Sequence, residues 1–168
     1  MFHVEQLSLF LDTPSLCNKI AVKRNDVLRQ TQEDKKALTE NIVIEMRGRF
    51  SDCEKTLKSL KNASVYIKDS FSLLVNKWEF SLPDEIILRP LYTNKRATRT
   101  NGIAGKKHNG GYFIAMNVKK AKKDIRGFMK TSIHEACHIA AERILSKFDH
   151  GRLWKEMFEH CKNEMGIP

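Results

Sequence analysis

The sequence is poor in cysteine: it has four, Cys17, Cys53, Cys137 and Cys161, and no two of them form a C-x-x-C pair. That scarcity speaks against a disulfide framework and against a cysteine-built structural metal cluster, and predicts reduced thiols. Cys137 reads as a small apolar filler on a helix. No apolar run approaches the roughly 20 residues of a bilayer-crossing helix, and the apolar N-terminal cluster lacks the basic residue that opens a secretory signal. A soluble chain without membrane partners, retained in the cytoplasm, is therefore expected. Repeats and low-complexity tracts are absent. With 168 residues, 41% hydrophobic and 30% charged, the chain has the composition of one globular domain with additional segments. Acids are nearly missing from one region: between Asn94 and Lys130, Asp124 stands alone against eleven Lys or Arg.

What is present is centred on Thr131 to Glu142, which contains His134-Glu135-Ala136-Cys137-His138. Helical residues four apart lie one above the other, so two imidazoles can converge on one point, a geometry suited to a zinc ion. Glu135, on the neighbouring position, can take a proton from water without itself ligating the metal. Ile133, Ala136, Cys137, Ile139, Ala140 and Ala141 make the segment apolar on nearly every side, as in a buried helix. The alternative is a pair of core histidines with backbone partners, but burying two stacked His and a Glu costs desolvation that needs compensation.

A catalytic zinc site usually has three protein ligands. The third is expected at His150, in the bend Lys147-Phe-Asp-His-Gly151, where Gly151 lets the chain turn into a further helix. Glu156, Glu159 and Glu164 are alternatives on that helix; the first two are more simply solvated positions, and Asp149 a partner of a ligand His or a cap.

His134-Glu135-x-x-His138, then His150-Gly151 and the aromatic-bearing Leu153-Trp-Lys-Glu-Met-Phe158, resemble the SprT-like zinc metalloprotease domain, the family of Spartan, which cleaves proteins crosslinked to DNA. Upstream, Arg99-Thr-Asn-Gly-Ile-Ala-Gly105 and Gly110-Gly-Tyr-Phe-Ile-Ala-Met-Asn117 resemble the family's glycine-turned hairpin and the strand before its zinc helix. The resemblance covers about Trp78 to Phe158. It implies an α+β, zincin-like fold: a small antiparallel or mixed sheet packed against the H-E-x-x-H helix and further helices. Many family members add a Cys-rich zinc ribbon, of which this sequence shows none.

Residues 1–30 read as a flexible arm broken at Asp12-Thr-Pro-Ser15. Within it, Gln6, Leu7, Ser8, Leu9 and Phe10 match the pentapeptide by which bacterial replication and repair proteins bind the β sliding clamp, Leu and Phe anchoring in an apolar pocket. The alternative is a segment packing Leu7, Leu9 and Phe10 on its own core. Residues 31–80 form an expected helical region: one helix from a Thr31 cap to about Arg47, a second from Ser51-Asp52 with Cys53, Leu57 and Leu60 on one face, and an apolar stretch from Val65 to Trp78. Residues 81–168 would be the protease core. In it, Glu85 to Leu91 reads as a strand that Pro90 places at an edge or ends early. Ala97 to Ala104 and Tyr112 to Val118 read as strands joined by a turn from Gly105 to Gly111, and Val118 to Arg126 as a helix running up to the zinc helix.

The basic region suggests nucleic acid beside the metal helix, with Arg96, Arg99, Lys106, Lys107, Lys119, Lys120, Lys122 and Lys123 as phosphate contacts of little sequence preference. The alternative is a solvated basic face. The expected chemistry is peptide hydrolysis with His134, His138 and His150 holding zinc and Glu135 as general base; Tyr112 and Arg99 are conceivable oxyanion donors. By resemblance the substrate is protein on DNA, brought to the enzyme by the clamp peptide in a nucleoid-associated cytoplasmic setting. A competing expectation is a non-proteolytic DNA- and clamp-binding factor of bacterial or phage origin with a structural zinc site. A metal-dependent hydrolase of small substrates ranks below both.

Overall fold

The computed structural model describes residues 41–46, 53–91, 100–121 and 123–168. All of them belong to one unit, Ala37–Pro168. The residues 1–30 with Gln6 to Phe10, and Arg96, Arg99 and Lys122, lie outside the described residues.

Among the described residues the order is β1 (Ile42–Ile44), α1 (Cys53–Trp78), β2 (Ile86–Pro90), β3 (Gly102–Lys106), β4 (Tyr112–Met116), α2 (Val118–Ala121), α3 (Ile125–Leu145) and α4 (Arg152–Glu164). The sheet is mixed, with strand order β1-β2-β4-β3. β1 and β4 run parallel to β2, and β3 runs antiparallel to β4. The α+β class with a small mixed sheet and helices is thus seen directly.

The structure corrects three expectations. A helix through to Arg47 is replaced at Ile42–Ile44 by a strand. Three consecutive β-branched residues pair in register with Ile86, Ile87 and Leu88, and this tertiary pairing overrides a helical spacing that the same apolar residues also satisfied. The second helix and the apolar stretch after it are one helix of 26 residues. No Gly or Pro interrupts it, and its buried apolar positions Leu60, Ala63, Ile67, Phe71 and Leu74 keep to threes and fours. The helix expected from Val118 to Arg126 is broken: α2 ends at Ala121, and Asp124 starts a new helix by accepting a hydrogen bond from the Gly127 N–H at 2.8 Å. Pro90 ends its strand, as one of the two alternatives had it; β2 lies inside the sheet.

Two apolar clusters hold α3. One joins Ala136 and Ile139 to Leu60, Ile67 and Phe71 of α1 and to Leu88, Ile114 and Met116 of the sheet. The other joins Ile133, Cys137 and Ala140 to Leu74 and to Trp154, Met157 and Cys161 of α4. Each fully buried aliphatic side chain of this size contributes about 1.5–3 kcal/mol. The region expected as helical and the expected protease core therefore share one interior. Cys137 and Cys161 are buried free thiols, Cys137 a small filler as expected.

Candidate metal centre

Helix α3 ends at Ser146, which takes a left-handed conformation (φ 56°) while its N–H bonds the Glu142 carbonyl. The chain then loops back, and the Asp149 carboxylate accepts from the Gly151 N–H at 2.9 Å, shaping the turn into α4. This turn aims His150 at the helix. The Nε2 atoms of His138 and His134 are 3.2 Å apart, and those of His150 and His134 are also 3.2 Å apart. One nitrogen from each of the three lies within 4.8 Å of the others. With Zn–N bonds of about 2.0–2.1 Å, the edge of a ligand tetrahedron is roughly 3.3–3.4 Å. The two 3.2 Å separations fit that edge, and neutral imidazole is the donor zinc takes.

Burial keeps His134 and His138 neutral. Burial lowers His134 to about 4, helped by the proximity of His150. Burial likewise lowers His138 to about 4, with His134 and His150 adding to it and Asp149 opposing. At neutral pH both rings therefore carry the lone pair that a metal requires. Trp154 forms the floor, its ring centroid 4.7, 5.3 and 4.4 Å from those of His134, His138 and His150. Phe158 stacks on Trp154 at 5.0 Å. The His138 Nδ1 is buried with no hydrogen-bond partner among the described residues.

The alternative third ligands point elsewhere. Glu156 pairs with Arg152 at 2.8 Å and Glu159 with Lys162 at 3.1 Å, both on the surface of α4. Glu164 is exposed and outside the cluster. Cys137, although next to His138, is not part of it either.

Glu135 is 4% exposed and faces β3. Burial raises its carboxyl to about 7, partly offset by a hydrogen bond from the Ala104 backbone. Such a value suits a group that must both take and return a proton near neutrality. Gly102 makes the close approach possible: a Cβ there would sit 2.7 Å from Glu135 Oε1 and 2.8 Å from Thr131 Cγ2. The signal was in the sequence, since a glycine inside a strand marks close approach of another chain element. His134 and Glu135 open into a cleft of about 400 Å³ with Gly102, Lys130, Thr131 and Phe158 among its walls.

β3 is an edge strand among the described residues. The bonds from the Asn117 N–H to the Asn101 carbonyl and from the Lys107 N–H to the Gly111 carbonyl show which of its residues face β4. By the alternation of an antiparallel ladder, the backbone groups of Gly102, Ala104 and Lys106 face the other way. The free edge of the strand thus runs beside Glu135.

Glu142, one turn beyond His138, is 7% exposed and accepts hydrogen bonds from the Tyr112 hydroxyl and, at 2.9 Å, from Lys106 Nζ. This triad was missed in the sequence because it joins three elements with no spacing signature. It also commits the Tyr112 hydroxyl, leaving it no part in oxyanion binding. Burial pushes the Glu142 carboxyl up from 4.5, but Tyr112 and Lys106 outweigh it and hold the value below 4.5. A depressed folded value means stability that is present above the ordinary carboxylate pKa and lost as pH falls through the lowered one. Glu142→Gln should therefore be less stable than the parent by about 1–3 kcal/mol at pH 7. In urea titrations the gap should close as the medium is acidified; a gap independent of pH would show that the carboxylate charge is not what matters.

The basic residues divide. Lys106 is taken by Glu142, and Lys107 lies 3.8 Å from Glu85. Lys119 is exposed. Lys120 donates to the Asn101 side chain, and Lys120 and Lys123 line a cleft that shares Asn101, Gly127 and Thr131 with the one at His134.

Compared with models of known families, with curated proteins and with solved structures, the chain matches none. None of the helices among the described residues is long and apolar enough to cross a membrane.

Proposed function

We propose that the chain is a zinc metalloprotease of the SprT-like, zincin type that cleaves protein associated with or crosslinked to DNA. The observation that carries this reading is the convergence of His134, His138 and His150 at zinc-ligand spacing beside a buried carboxylate, in a cleft open to an edge strand. A structural zinc site takes four protein ligands, whereas the cluster offers three among the described residues, which favours hydrolysis over the non-proteolytic alternative.

In this reading the three histidines hold the ion. Zinc, when bound, supplies Lewis acidity and brings the pKa of water towards neutrality. Glu135 accepts the proton of the attacking water and returns it to the leaving amine, its buried carboxyl poised for both transfers. The outward backbone groups of Gly102 and Lys106 align an extended peptide as an added strand, so the scissile bond is presented in one register. Trp154 holds the three imidazoles in place. Lysines beside the cleft retain the nucleic acid, and the clamp-like peptide Gln6 to Phe10 brings the enzyme to replicating DNA, in the cytoplasm at the nucleoid.

The test is digestion of histone or casein by the zinc-loaded chain with DNA present. Cleavage should disappear with a chelator and return with added zinc. Intact substrate under all three conditions would sink the protease reading.

A further inference from the structure

The cleft at His134 and Glu135 is the first of three. It shares Asn101, Gly127 and Thr131 with a neighbour of about 300 Å³, and that neighbour shares Phe128 with a third, of about 370 Å³, that reaches α1. Their cationic walls follow the same course: Lys130 in the first, Lys120 and Lys123 in the second, Lys55 and Lys58 in the third. The acids along the way are Glu135 and Asp124, and the latter's carboxylate is engaged in capping α3. Among the described residues the third cleft has no acid in its wall. There α1 presents Lys55, Lys58, Ser59 and Asn62 at i, i+3, i+4 and i+7, a single helical face of ammonium, hydroxyl and amide groups.

The hairpin offers a poorer surface. Its Lys106 is held by Glu142, and a carboxylate, Glu85, lies 3.8 Å from its Lys107, so acids offset the charge there.

We infer that a nucleic-acid backbone runs along the three clefts, from the histidines over the α2–α3 junction to the first turns of α1, and not over the β3–β4 hairpin. This inference rests on the reading that nucleic acid passes the site, and adds its path and a contact element, α1, that the charge count between Asn94 and Lys130 did not include. The occupant follows from charge complementarity along a continuous recessed course. Phe128, the one aromatic in the walls of the second and third clefts among the described residues, is 3% exposed. With no exposed ring in the walls of these two clefts among the described residues, binding along them goes to phosphates and carries no sequence preference.

The test is fluorescence anisotropy of labelled oligo-dT with the full chain across a salt series. Lys58→Ala combined with Lys123→Ala should weaken binding about tenfold or more and make the slope of log affinity against log salt shallower by about 1.4, roughly 0.7 for each phosphate contact on a single strand. Lys107→Ala should leave affinity within about twofold. Thermal melts of each variant check that the fold is kept. Wild-type binding with an unchanged slope in the double variant, or an equal loss in Lys107→Ala, overturns the path while leaving the nucleic-acid reading intact. Wild-type protein that binds no oligo-dT at low salt overturns both. Displacement by poly-glutamate as efficient as by unlabelled oligo-dT would assign the groove to acidic protein instead, and overturn it too.

Discussion

Glu135→Gln is expected to retain one zinc per chain at near-parental affinity and to lose proteolysis by a factor on the order of 10²–10⁴, the range supplied by a positioned general base. The substitution is nearly isosteric, so the tight fit against Gly102 and Thr131 is kept. The Ala104 N–H still meets an oxygen if the amide presents its carbonyl to it. What vanishes is the ability to accept a proton. Because burial already penalises the charged form of Glu135, the amide should not destabilise the metal-free fold. Zinc titration and cleavage of a DNA-bound substrate, run on one preparation, separate the two effects. Parental cleavage by the zinc-loaded variant would contradict the assigned base.

His150→Ala should act on the metal itself. His150 is an exposed loop residue whose ring enters the cluster only through the turn that Asp149 and Gly151 make. Its removal leaves two imidazoles on one helix and should lower zinc affinity by well over a hundredfold, beyond the 10–100-fold typical of losing a supporting partner. Little core packing is lost with it, so the melting temperature of the metal-free protein should barely move. Competition against a chromophoric chelator reads the first quantity and calorimetry the second. Equal zinc affinity in both proteins would remove His150 from the ligand set.

The candidate metal centre was legible in the sequence to the extent that it is local. His134, Glu135 and His138 follow from helical spacing, and His150 is preferred to Glu156, Glu159 and Glu164 because it lies in a bend placed by Gly151. The groups that surround them were not legible, because they arrive from other elements. Trp154 beneath the imidazoles and the Lys106, Tyr112 and Glu142 triad depend on how β3, β4 and α4 pack on α3, and Gly102, although a strand glycine signals a close approach, does not say that the neighbour is Glu135. The same limit governed the fold. The length of α1 was hidden because Lys61 and Asn62, polar and exposed, look like a break between two amphipathic stretches, although nothing there stops a helix. β1 was hidden because an Ile-Val-Ile run at helical distances from other apolar residues satisfies two periods, and only its partner β2 chooses between them.

Charge behaved differently. The excess of lysine near the metal helix is a property of composition and was visible at once, but which ammonium groups are available depends on tertiary neighbours. Two carboxylates distant in sequence, Glu85 and Glu142, occupy the hairpin lysines.

X-ray absorption at the zinc edge of the loaded, purified chain tests the central claim most directly. A single zinc with three imidazole nitrogens and one further light-atom ligand, reduced to two imidazoles or to no retained metal in His150→Ala, is what the proposed function predicts. Sulfur bound to the zinc, or a full set of imidazoles surviving that substitution, would contradict it.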